Sequence, residues 1–207
     1  MSVKAGSIVV SGSLALALTV APALADGPGM GQSWYAGLFA GAAWPSDFNT
    51  GFGESFSSNT GFAFGGVVGT NVSNSVRVEL EVSDIMASAD CAGKCVATSV
   101  DVDALSILGN AWLDIPIDSS ITPYIGGGIG GTQVSVDGGG NNGSAWSFAY
   151  QLGAGLRMNV GTNVMVDLGY RYKSATNIDA GDIDPGFGDA DIDANAHVVQ
   201  LGLTFTL

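Results

Sequence analysis

Positive charge is what this chain has least of. Six Lys plus Arg stand against 19 Asp plus Glu, for a formal net charge of -13. No basic patch can be assembled from so few cations, which excludes a nucleic-acid surface. Charge of either sign is scarce, at 12% of residues, about half the share of an ordinary water-soluble domain. Much of the surface is therefore expected to face something other than water. Long apolar runs are missing as well. Beyond residue 25, "ALSILGNAWL" (residues 104–113) reaches only about half the length a membrane helix requires. Residues 121–136 are uncharged but thick with glycine, a poor helix former. If the chain crosses a bilayer it must do so as a closed barrel, the remaining way to pair every backbone group in lipid.

Cysteine is limited to Cys91 and Cys95, both in "DCAGKC". In an oxidising compartment they are expected to close a small disulfide loop. A metal centre would need further His or Cys ligands, and none lies nearby. No cofactor is expected.

The first 25 residues read as an export signal. Lys4 gives a positive start, "SIVVSGSLALALTVAPALA" is apolar, and Ala23-Leu24-Ala25 supplies an A-x-A cleavage pattern before Asp26. An uncleaved anchor helix is the rival reading. Residues 26–207 are then expected to form one domain.

That domain alternates with period two, the mark of strands with two unlike faces. In "SVRVELEVS" (residues 75–83), Val76, Val78, Leu80 and Val82 share one side, and Arg77, Glu79 and Glu81 the other. Eight such segments can be read. The first, "QSWYAGLFAGAAWP", aligns Trp34, Ala36, Leu38, Ala40, Ala42 and Trp44. Ten steps of about 3.3 Å, tilted by about 40°, rise roughly 25 Å, the height of a lipid-facing band. The Trp at each end suits the headgroup level, where an apolar ring with one N–H is best placed. Trp34, Trp44, Trp146, Tyr170 and Tyr172 are thus expected to form an aromatic girdle. The remaining segments put Phe62 and Phe64, Leu105 and Ile107, Trp146 to Met158, Val166 to Tyr172 and Val199 to Leu207 outward on the same parity. The glycine-rich fifth segment, "ITPYIGGGIGGTQVSV", leaves its inward parity open. Short turns near 73–74, 116–120 and 159–163 alternate with long connections at 45–59, 83–101, 137–144 and 174–195. The expected fold is an all-β, eight-stranded antiparallel transmembrane barrel with short periplasmic turns and long extracellular loops.

Of the five cations after residue 25, Arg77, Arg157, Arg171 and Lys173 fall on the inward face. Glu79, Glu81, Asp114 and Asp167 fall there too, giving the neutral balance that charges inside a narrow tube demand. This set is expected to act as a lumen charge network. Eight strands leave an interior that side chains just fill, so paired charges would plug it.

Taken together, "WYAGLFAG", "ITPYIGGGIG", "FAYQLGAGLR", "VDLGYRYK" and the alternating C-terminal strand resemble the small eight-stranded outer-membrane barrels of the OmpA/OmpX and opacity-protein type, often labelled "porin family". The resemblance covers residues 34–207. It implies outer-membrane localisation, contact with lipid and lipopolysaccharide, insertion by the barrel-assembly machinery, a monomeric state and a non-enzymatic surface role. The extracellular partner is unspecified. Members of this family usually end on an aromatic residue; here the end is Leu207, with Phe205 two positions earlier.

Three motifs invite a chemical reading. "GGGIGG" (residues 126–131) matches G-x-G-x-x-G, but no helix follows to meet a phosphate, so strand crowding explains it better. "DAGDIDPGFGDADID" (residues 179–193) holds six aspartates. Asp189, Asp191 and Asp193 are spaced like the start of a calcium loop, but the glycine turn and distal Glu of such a loop are missing. His197 lacks a neighbouring serine and reads as a polar residue at the rim. A narrow solute channel is the main alternative function, a lipid-modifying enzyme the third.

Overall fold

The computed structural model describes residues 33–46, 48–49, 55–92, 99–117, 119–138, 141–179 and 191–207. Residues 1–32, with the expected export signal, lie outside that set. Eight long strands make a closed antiparallel barrel: β1 (Trp34–Pro45), β4 (Gly61–Asn71), β5 (Val76–Ala92), β6 (Ser99–Asp114), β7 (Ile121–Gly138), β8 (Asn141–Asn159), β9 (Val164–Asp179) and β10 (Asp191–Thr206). Each pairs with the next, β1 joins β10 to β4, and the β5–β6 pairing closes the circle. Two short strands, β2 (Phe48–Asn49) and β3 (Ser55–Ser58), continue the wall beside the far end of β5.

The tight turns have local causes. Between β4 and β5 the Ser73 hydroxyl accepts from the amides of Ser75 (3.3 Å) and Val76 (3.1 Å), holding the chain in a side-chain-capped turn. Between β8 and β9 the Val160 amide donates to the Val164 carbonyl at 3.0 Å. The Leu207 amide donates to the Trp34 carbonyl at 2.9 Å, so the two ends of the barrel sequence meet at this turn side.

Alternation sets the faces as the period-two pattern implies. Leu80 is 57% exposed and Ile129 63%, on the outside, while Arg77 is 2% exposed and Gln151 fully buried, on the inside. An outer surface carrying Leu38, Phe62, Ile107, Phe148, Leu168, Leu201 and Phe205 suits hydrocarbon and not water. Among the described residues no helix is long and apolar enough to cross a membrane.

The connections differ from expectation. Residues 83–92, 99–101 and 174–179 continue strands, β7 and β8 meet across residues 139–140 alone, and the 45–59 stretch contains β2 and β3. The reason is an inversion of polarity along the strands. Near the turns, apolar residues face out and charged ones face in. Farther along, Asp84 and Asp103 take outward positions while Ile85 and Val134 are buried inside. Strands of 16 to 19 residues rise roughly 40 Å or more, well past a lipid band of about 25 Å. Where the wall leaves lipid it takes the polarity of a water-soluble barrel, and the apolar-out pattern ends although the hydrogen-bonded ladder does not.

A bulge marks this outer part: β9 and β10 shift register between Ile192 and Ala194, and Asn177 takes a φ of 55°. Asn tolerates that left-handed conformation, and its amide donates to Asp193 Oδ1 at 3.1 Å.

Candidate functional site

The inside of the lipid-level barrel is packed with ions and aromatic rings. Glu79, on β5, gathers three hydrogen-bond donors and a second, more distant cation. Tyr35 Oη donates to Oε1 at 2.8 Å, Trp112 Nε1 to Oε2 at 2.7 Å, Arg77 Nη1 pairs with Oε1, and Arg157 Nη2 lies 3.8 Å from it. Arg77 also donates through Nε to Asp114 Oδ1 at 3.0 Å. The guanidinium carbons lie over the rings: Arg77 is 4.6 Å from the Tyr124 centroid, Arg171 is 4.2 Å from that of Trp112, and Arg157 is 5.3 Å from that of Tyr35. At this distance the cation gains from the ring quadrupole in addition to its ion pair.

Arg171 and Asp167 are joined through a third group. The Arg171 Nη2 donates to the Tyr124 hydroxyl at 2.9 Å, and that hydroxyl donates to Asp167 Oδ1 at 2.9 Å. One level farther from the turns, Glu81 is held by Lys173 Nζ (2.6 Å), Ser83 Oγ (2.9 Å), Asn110 Nδ2 (3.1 Å) and Gln151 Nε2 (2.8 Å). Lys173 and Gln151 reach it from the opposite wall, so this layer crosses the tube. An ionised carboxylate offers about four acceptor sites; Glu81 has four donors and Glu79 three, with Arg157 as a further, more distant cation.

Glycines make the room. A Cβ on Gly126 would lie 2.7 Å from the Trp112 ring, and one on Gly155 2.4 Å from the Tyr124 hydroxyl. The glycine-rich β7 therefore turns its small positions toward the large side chains of β6, and Tyr124 inward, which gives the fifth segment its inward parity. Tyr35, Trp112 and Tyr124 were not among the residues singled out in the sequence. For Trp112 the signal was present, since it shares parity with Asn110 and Asp114.

All eight charged residues expected inside fall on the inner face: Arg77, Glu79, Asp114, Arg157, Asp167 and Arg171 in the contacts around Glu79 and Tyr124, and Glu81 with Lys173 in the next layer. Of the aromatic set, Trp34 and Trp44 sit near opposite ends of β1, and Trp44 is exposed with Trp146 and Tyr170. Trp44 lies opposite His197, which lies opposite Tyr172, forming one row across β1, β10 and β9. His197 faces outward with its Nδ1 2.6 Å from the Tyr170 hydroxyl. Cys95 and the side chain of Cys91 lie outside the described residues, as does Asp189. Among the described residues no group of three or more His, Cys, Asp or Glu side chains is arranged to hold a metal.

Comparison with known proteins agrees with this architecture. The outer membrane protein beta-barrel domain family matches residues 11–205. Uncharacterized proteins of Brucella abortus and Brucella suis are 32% identical over 79 residues, 31% of this chain and 28% of theirs. The chain thus matches well under two thirds of the length of these curated relatives. Among solved structures, Neisserial surface protein A has a TM-score of 0.65 at 19% identity, covering 86% of this chain and all of that one. OprG from Pseudomonas aeruginosa has a TM-score of 0.52 at 15% identity, covering 87% and 98%. Ail, the attachment invasion locus protein of Yersinia pestis solved with a heparin analogue, has 0.51 at 15%, covering 85% and 98%.

Proposed function

The chain belongs to the outer membrane protein beta-barrel domain family, and from that premise we propose that it is a sealed, non-enzymatic surface barrel of the outer membrane. It anchors a rigid wall that rises beyond the lipid and carries acid-rich connections on the outside. The observation that supports sealing is the layer built on Glu81, where side chains from β5, β6, β8 and β9 bond to one another across the tube. An ion crossing it would have to separate Lys173 from Glu81 in a site both keep nearly closed to solvent, which costs several kcal/mol in such surroundings.

The acidic stretch at residues 179–193 bears on the partner. Ail was solved with a sulfated heparin analogue; six aspartates within fifteen residues suit a cationic partner instead, because like charges repel across an interface. His197 supports a non-enzymatic reading: its ring nitrogen meets a tyrosine, not a serine nucleophile.

The test is conductance. Purified, folded protein in planar bilayers is expected to give no stepwise current in concentrated KCl, and Arg171→Ala likewise none. Regular steps from the unmodified protein would make it a channel. Lipid A mass spectra are expected to be the same with and without His197→Ala.

A further inference from the structure

The inverted outer part of the barrel has an interior that the described side chains do not fill. An eight-stranded barrel either packs its centre with bulky side chains or encloses one small ligand. Here the inward positions beyond the lipid level are held by small residues. Ala43, Ala63 and Ala196 cluster with Ile85 and Val198, and Ala145 and Ala175 with Val134 and Ile178. Alanine reaches too little of the axis to meet its counterpart on the facing wall. What remains is a cavity of about 100 Å³, walled by Val102, Ala104, Val134, Ala149, Ala175 and Ala196.

The base of the cavity is the upper surface of the sealed layer. Lys173 lines it, with its ammonium held by Glu81 and Ser83 at 2.6 Å each, and Ser106 and Thr132 line it with their hydroxyls bonded to each other at 2.8 Å. The polar groups at the base are thus engaged with protein and leave the walls to define what fits. Pro45 and Ser46 line one side, at the end of β1, where the Ser46 amide donates to the Asn195 carbonyl at 2.8 Å.

We propose that this cavity is a closed-bottomed binding cup for a small, uncharged, apolar molecule of single-ring size. The warrant is size with chemistry. An apolar cavity of roughly 150 Å³ in a protein interior stays dry and takes benzene, since water needs two or more polar partners to enter. Here Ser46, Ser88, Ser174 and Asn195 contribute polar atoms at the sides, but the lining is mainly apolar, and the space is of the same order. A charged ligand would lose its hydration against alanine and valine with no counter-ion to replace it. The site lies beyond the sealed layer, so occupancy and conductance are separate properties, and a conducting barrel would not by itself fill or empty the cup.

The experiment uses the full chain in lipid nanodiscs with fluorobenzene as the probe, read by fluorine saturation-transfer NMR. Empty nanodiscs correct for partition into lipid. The expected result is a saturable signal that benzene displaces, weakened at least tenfold by Ala104→Leu and by Ala175→Leu, which fill the cavity. Leu201→Ala, on the lipid face, should leave it unchanged. Heat-dependent gel mobility confirms that each variant is folded. Should one leucine variant fail to assemble, Ala175→Val carries the same comparison. A linear isotherm matching empty nanodiscs overturns the proposal, whether water or a connection of the chain itself fills the space. Saturable binding that survives the filling variants also overturns it.

Discussion

The two halves of the tube obey opposite rules. At lipid level the outside is oily and the inside is a lattice of ions and rings around Glu79 and Glu81. Beyond it the outside is polar and the inside is small and apolar around Ile85 and Val134. One hydrogen-bonded wall runs through both, so the change is made by side chains alone. The medium outside dictates the contrast. Lipid takes apolar groups outward, and the polar remainder must satisfy itself within. Water reverses the assignment. The inner half gains rigidity from a network in which each member depends on the others, whereas the outer half rests on non-directional burial of small residues.

If that contrast holds, the largest effect should come from breaking the lattice. Glu81→Leu removes the acceptor shared by Lys173, Ser83, Asn110 and Gln151, and leaves the Lys173 ammonium buried without a counter-ion, with the Ser83 hydroxyl as its remaining hydrogen-bond partner. A loss of about 3–5 kcal/mol is expected in urea unfolding from lipid vesicles. Adding Lys173→Met should recover most of it, since removing both charges relieves the desolvation that either alone suffers. If the double variant is as unstable as the single, pairing is not what holds this layer.

Adding a methyl group to each half sharpens the comparison. On Gly126 the new carbon would sit 2.2 Å from the Ala111 carbonyl oxygen and 2.7 Å from Trp112, so Gly126→Ala should cost about 1–3 kcal/mol. Ala175→Val in the outer half adds volume beside a cavity of about 100 Å³ and should stay within about 0.5 kcal/mol of the parent. Equal losses would mean the outer interior is as tightly filled as the inner. Between these two lies Trp112→Phe, which keeps an aromatic ring and deletes the 2.7 Å hydrogen bond to Glu79, for about 1–2 kcal/mol.

The lipid-level half was legible in the sequence, because an alternation such as Val76, Arg77, Val78, Glu79, Leu80 and Glu81 assigns both faces at once. The outer half was not. Its strands carry the opposite polarity, so a reading tuned to apolar-out residues stops at Ser83, where Asp84 turns outward and Ile85 inward. The ladder's continuation to Ala92 depends on pairing with β6, a tertiary fact. Within the lattice the members were legible and the partners were not. Equal numbers of opposite charges do not reveal that Arg171 reaches Asp167 through the Tyr124 hydroxyl, which depends on which residues face across the tube.

The gentlest probe tests where one half ends and the other begins. Trp44 stands opposite His197, in the row that also holds Tyr172, close to the level where outward residues turn polar. Its ring is apolar and its N–H is not, so it should sit at the headgroups. Trp44→Ala should cost under about 1 kcal/mol, because Tyr170 and Tyr172 remain to hold the rim. Its depth is the more informative measurement. With Trp34, Trp112 and Trp146 replaced by Phe, Trp44 is the one tryptophan left. Its fluorescence should be quenched more by lipids brominated near the headgroup than by lipids brominated near the chain ends. Stronger quenching from the chain ends would put Trp44 in mid-bilayer. The polar outward positions of β5 and β6 would then lie in hydrocarbon, and the inversion of polarity could not mark the edge of the membrane.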